Sequence, residues 1–199
     1  MSIDIRLMNE SDELQIMDLM FECFDKHDAL LINGLLKDLF VHPAGLSGSG
    51  IVAVDNEKVI GFVMLSVGLL DTFEKNIKIG VLGPLGVHPH FQKQGIARKL
   101  VSELESEAEK LGLPLVFLEG DPAFYSKLDY IPAKSLGNRK PSIRIPDVAF
   151  QCKKLMSHED WMKGTLVYPE PFWTNDCVGL RETSFIEWVK SEVSEGREL

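Results

Sequence analysis

Hydrophobic and polar positions alternate with two periods along this chain, and the switches between them outline its elements. Ile3, Ile5 and Leu7 alternate with Asp4, Arg6 and Met8, which predicts a strand over 3–8. Leu14, Met17, Met20, Phe21 and Phe24 then fall at helical spacing, predicting a helix near 11–24, with Asn9 or Ser11 as its cap. Ala29 to Phe40 reads as a second helix, weakened by Gly34 and ended by Pro43, and 43–50 reads as a loop. Two runs rich in Val, Ile and Phe, 51–55 and 58–70, flank Asn56-Glu57 and predict a hairpin; a third strand is expected at about 77–87.

Ile96, Leu100, Val101, Leu104, Ala108 and Leu111 mark one face of a helix from about 93 to 111, stopped by Gly112. Leu113 to Leu118 is continuously apolar, as in a strand buried on both faces. Asp121-Pro122 opens a short helix through Leu128, with Asp as cap and Pro at the first helical position. Strands are expected to begin at Tyr130-Ile131 and to span Ala149–Leu155. Phe185, Ile186, Trp188, Val189 and Val193 suggest a C-terminal amphipathic helix that packs on the domain or on a second subunit, making a homodimer. The order β-α-α-β-β-β-α-β-α-β-β predicts an α/β fold with a mixed, mostly antiparallel central sheet flanked by helices. Residues 1–156 are expected to form the domain, with 157–199 as an extension packed on it.

Composition sharpens this picture. The chain has 199 residues, 45% of them hydrophobic and 26% charged, as in an ordinary globular protein. A net charge of −9 argues against nucleic-acid binding through a broad basic face and mildly favours a cationic partner. Cys23, Cys152 and Cys177 are widely spaced and contain no Cys-x-x-Cys, which suggests neither a zinc ribbon nor a disulfide framework. Reduced thiols and a cytoplasmic location are the expectation, since no signal peptide and no membrane-length apolar run is read.

The candidate chemistry begins at Gln92-Lys93-Gln94-Gly95-Ile96-Ala97, where a strand turns into a helix. A helix start offers unpaired N–H groups and a positive dipole end to an anion. Competing phosphate motifs fail. There is no Gly-Lys dipeptide for a P-loop, and Gly48-Ser49-Gly50 precedes a strand rather than opening a helix. His88-Pro89-His90 is compatible with metal ligation but lacks a third ligand, so it reads as a turn and no metal is expected.

On Gln92-x-x-Gly95-x-Ala97, and on Gly120-Asp121-Pro122-Ala123-Phe124-Tyr125 running into Leu128-Asp129-Tyr130, the chain resembles the GNAT superfamily of N-acetyltransferases. The likeness is nearest to bacterial members that carry a Leu-Gly-Pro-Leu strand, here Leu82-Gly83-Pro84-Leu85, and it extends over about residues 3–155. Asp129 departs from the family pattern, which has glycine there.

The resemblance implies acetyl-CoA as cosubstrate. Its pyrophosphate would be cradled by backbone groups of Gln92, Lys93, Gln94, Gly95, Ile96 and Ala97. Its pantetheine arm would lie along Leu85 and Val87, in a gap that Pro84 and Gly86 open by interrupting the strand ladder. Tyr125 stands where the family has its general acid. Glu119, at the end of the buried strand, is the candidate base, with a helix-entry anion as the alternative. The acceptor implied is a primary amine on a small molecule or peptide. A non-catalytic acyl-CoA-binding module remains open beside the enzyme.

Overall fold

A computed structural model of the chain describes residues 3–179. The first strand, β1 (Asp4–Leu7), is followed by a 3-10 turn whose cap is Asn9, and then by α1 (Glu13–Cys23). Helix α2 (Lys26–Val41) starts three residues before the apolar pattern does, because the Asp25 side chain accepts hydrogen bonds from the His27 and Asp28 N–H groups. The expected loop at 43–50 is instead a one-turn helix, α3 (Pro43–Leu46), running into β2 (Ser49–Asp55). Four residues are too few to display a helical period, and Pro43 opens this turn as its first residue.

The hairpin of β2 with β3 (Lys58–Thr72) turns on Asn56 and Glu57, both with positive φ, as a two-residue turn requires. Strand β4 (Asn76–Val87) continues the meander, and α4 (Ile96–Lys110) follows it. Then come β5 (Leu115–Glu119), α5 (Pro122–Tyr125), β6 (Ile131–Pro132) and β7 (Phe150–Lys154). Asp121 caps α5 by accepting the Ala123 N–H at 2.8 Å. Asp129 takes φ +66°, the left-handed conformation that glycine adopts freely and that aspartate tolerates. The departure from the family pattern at this position therefore leaves the turn intact.

Residues beyond Met156 add two elements that the sequence pattern did not disclose, β8 (Gly164–Val167) and α6 (Glu170–Thr174). The helix expected near 185–193 lies outside the described residues.

The sheet is mixed and mostly antiparallel, in the order β1-β2-β3-β4-β5-β7-β6, with β8 paired to the far end of β3. Among the described strand pairs, β4 and β5 run parallel. Strand alternation sorts the core into two layers. One face packs Phe62, Met64, Val81, Leu115 and Phe117 against α1, α2 and α6. The other packs Val63, Leu65, Val116 and Leu118 against α4.

Strand β8 docks where Gly164 lies opposite Thr72. A methyl group there would collide with the Asp71 carbonyl, which is backbone and cannot give way. Gly164→Ala is expected to lower stability by about 1–3 kcal/mol through this overpacking, read as a lower urea midpoint. An unchanged midpoint would show that β8 can sit elsewhere.

Candidate active site

The parallel pairing of β4 with β5 is confined to Gly80–Val116 and Val81–Phe117. Beyond Val81 the strands part, leaving one edge of β4 without a neighbouring strand through Val87. The cause lies within β4. Its register with β3 places Leu65 opposite Leu82 and Val63 opposite Leu85, so β4 has one residue more than β3 across this step. Pro84 offers no N–H for a ladder at that point. The bulge also changes the phase of alternation. Val81 faces the α1/α2 layer before it, and Leu85 and Val87 face the α4 layer after it. Gly86 accordingly points at α1, where an added Cβ would lie 2.9 Å from Met20 Cε and 3.1 Å from Cys23 Sγ. The absent side chain lets α1 close over the parted strands.

The cleft so formed has a volume of about 380 Å³. Its walls come from Leu82 to Leu85 on one side and from Glu119 to Asp121 on the other. Of the residues singled out from sequence, Leu85, Glu119 and Tyr125 line it directly.

The turn from β4 into α4 supplies the anion-binding geometry. Gly95, the N-cap, has φ +80°, and Lys93 has φ +61°. At Gly95 an L side chain would be strained. No capping side chain covers the N-terminus of α4, so its first-turn N–H groups are not claimed by the cap. Gln92 anchors the turn, its amide Nε2 donating to the Val87 carbonyl at 3.0 Å, and Gln94 Nε2 donates to the His90 carbonyl at 3.3 Å. Gln92, Lys93, Gln94 and Gly95 are exposed, Ile96 is buried against the core and Ala97 is half-buried. Val87, also buried, packs in the same layer as Ile96.

His88 caps the preceding turn through Nδ1, which accepts the His90 N–H at 3.3 Å. No group of three metal-ligating side chains occurs among the described residues.

Tyr125 and Glu119 approach the cleft from opposite faces of the sheet. Tyr125 is buried in the α4 layer, edge-on to Phe124 and Tyr130 at 4.9 and 5.7 Å between ring centroids. A side chain on Gly120 would strike its ring, so this glycine makes room for the phenol beside the backbone. Burial raises the Tyr125 pKa well above that of a free phenol, which keeps the hydroxyl protonated.

Alternation along β5 carries Glu119 to the face of Leu115 and Phe117, beneath α2 and α6. Burial pushes its pKa up from 4.5 to about 7. Hydrogen bonds from the Tyr168 hydroxyl and the Gly179 N–H, and the charge of Arg144, favour the carboxylate and restrain that rise. The Gly179 N–H lies 3.1 Å from Glu119 Oε2. Arg144 in turn fixes this last stretch, its Nη2 donating to the Val178 carbonyl at 3.0 Å.

Tyr168, Arg144 and Gly179 were not foreseen as site residues. The alternation of Leu166 and Tyr168 was a usable signal, since both side chains enter the same core layer. A lone arginine and a backbone N–H left none.

The fold agrees with comparisons to known proteins. Residues 47–132 match the acetyltransferase (GNAT) domain family. A stretch of 104 residues is 33% identical to the uncharacterized N-acetyltransferase YhbS of Escherichia coli strain K12. It covers 52% of this chain and 58% of that relative, so the match spans little more than half of the relative's length. The crystal structure of YhbS from Escherichia coli in complex with CoA superposes with a TM-score of 0.71 at 28% identity, over 85% of this chain and 91% of that one. A GNAT family acetyltransferase from Brucella melitensis, solved with acetyl-CoA, shares the fold with a TM-score of 0.69 at 21% identity, over 86% and 98% of the two chains. Residues 47–132 are thus similar to acetyltransferase (GNAT) domains, and over most of its length the chain has the fold of the Escherichia coli protein YhbS.

Proposed function

We propose that the protein is an N-acetyltransferase that moves the acetyl group of acetyl-CoA directly to a primary amine, with both substrates bound together. The observation that carries this reading is the opening between β4 and β5, which has Tyr125 on one face of the sheet and Glu119 on the other. Donor and acceptor can meet there without sharing an entrance.

The residues present fit the cosubstrate. The unpaired edge of β4 offers backbone groups to an amide-bearing arm, beside Leu85 and Val87. The N-terminus of α4, opened by Gly95, suits a pyrophosphate. Acetyl-CoA supplies the activated acetyl group.

Proton movement falls to the two flanking side chains. An aliphatic amine is mostly ammonium at neutral pH and must lose a proton before nitrogen can attack the carbonyl carbon. Glu119, with a pKa of about 7, accepts protons near the working pH and is held in place by Tyr168 and Gly179. As the nitrogen–carbon bond forms and the carbon–sulfur bond breaks, Tyr125 gives its proton to the departing sulfur. A phenol kept neutral by burial is loaded for that task.

Tyr125→Phe is expected to lower kcat by about 10²–10⁴-fold, the usual worth of a positioned acid. Its affinity for acetyl-CoA, measured by calorimetry, should stay within about twofold of the native protein, well under the tenfold that ~1.4 kcal/mol would produce. Unchanged turnover would remove Tyr125 from the mechanism.

Glu119 makes a pH prediction of definite sign. Its pKa is raised in the folded state, so between pH 4.5 and about 7 the folded protein holds a proton that the unfolded chain has released. Its contribution to stability is therefore full below pH 4.5 and is lost as pH rises toward 7. Over the same range the rate should climb as the carboxylate forms. Glu119→Gln should remove the acid limb of the pH–rate profile near pH 7 and flatten the matching fall in melting temperature. A limb that persists in this variant would mean that another group takes the proton.

A further inference from the structure

The two openings of the cleft differ in chemistry. On the α4 side of the sheet it is lined by Leu85 and Tyr125. Toward α1, α2 and α6 it widens into a chamber walled by Phe24, Ile32, Leu35, Phe172 and Cys177. Leu35 and Phe172 are fully seated in the core, whereas Phe24, Ile32 and Cys177 keep part of their surface free.

The polar groups on this side are few. Glu119 sits at the inner end, with the Tyr168 hydroxyl on it, and Asp121 stands at the rim. Asp28 adds a further negative charge close enough to act on the Cys177 thiol. Among the described residues lining the cleft there is no lysine, arginine or histidine. Arg144, whose charge reaches Glu119, lies outside the lining and is turned to the Val178 carbonyl, so an anionic acceptor would find no counter-charge on the chamber wall. A polyhydroxylated one would leave its hydroxyls against aromatic and aliphatic walls, unpaired. A volume of about 380 Å³ lies near the lower end of the ~300–1,000 Å³ usual for small-molecule sites and does not admit a folded segment of another protein.

Building on the acetyl-transfer reading, we propose that the acceptor is a small primary amine with an apolar body, aromatic or branched aliphatic. Its nitrogen sits at Glu119 and its body lies against Phe24, Ile32 and Phe172. The carboxylate attracts the ammonium form and then takes its proton. The apolar walls supply affinity and orientation, and the absence of lining cations turns away acidic amines. Phe24 and Ile32 are the specificity-determining residues.

Phenethylamine, ethanolamine and glutamate are suitable probes, because they share a primary amine and differ in what it is attached to. Release of free CoA thiol is followed with each. Binding of each to the protein saturated with CoA is measured separately by calorimetry. Phenethylamine is expected to show kcat/KM at least about tenfold above ethanolamine, the discrimination that an apolar pocket gives for small changes in buried surface, and glutamate to be inert. Phe24→Ala should raise KM for phenethylamine by about tenfold while leaving KM for acetyl-CoA unchanged, and Ile32→Ala serves the same purpose should the first variant disturb α1.

Equal kcat/KM for phenethylamine and ethanolamine would overturn the acceptor class and leave acetyl transfer standing. Binding of phenethylamine that Phe24→Ala weakens, with no thiol released from any amine, would support the chamber's preference and overturn the transfer reading. Absence of both turnover and binding of phenethylamine would overturn the proposal.

Discussion

Everything functional in this fold follows from a hydrogen-bond ladder that stops early. A parallel pair inside a sheet normally stays paired, because an unpaired buried N–H or C=O carries a desolvation penalty of roughly 1–3 kcal/mol. Here β4 and β5 pair at two positions and then diverge. The extra residue at Gly83–Pro84 makes the divergence part of the local geometry of β4, and its neighbours are arranged around it. Gly86 leaves α1 room to descend, α5 turns Tyr125 inward from one side, and β8 with α6 closes the other. Restoring the ladder would fill the cleft.

Much of the architecture was legible because its elements are long and their periods unambiguous. Helix α4 shows its buried face at Ile96, Leu100, Val101, Leu104 and Ala108, and β5 shows continuous burial from Leu113 to Leu118. The hairpin at Asn56-Glu57 and the cap at Asp121 are local rules obeyed locally. What escaped was short or borrowed. Helix α3 is a single turn, and β8 has four residues whose partner is a continuation of β3 past the point where the apolar run fades. A strand of that length is defined by the edge it finds more than by its own composition.

The site divides along the same line. The turn at Gln92 to Ala97 and the placement of Tyr125 were readable because each is set by residues within a few positions. The setting of Glu119 was not. Its place at the end of β5 could be read, but the burial that raises its pKa, and the Tyr168, Gly179 and Arg144 groups that restrain the rise, come from residues far away in sequence. A carboxylate at a strand end is ordinary. A carboxylate that is largely desolvated and held by two donors is a candidate for proton transfer, and only the tertiary structure distinguishes the two.

The bond from the Gly179 N–H to Glu119 spans 60 residues and links the end of the described chain to the middle of the sheet. Its consequence is one of order in time. As the chain is synthesised, β1 to β5 and α4 are complete while the segment from Gly164 to Gly179 is still to come. On the proposed function, the helix N-terminus at Gly95 is thus in place before the Glu119 carboxylate has its donor from Gly179.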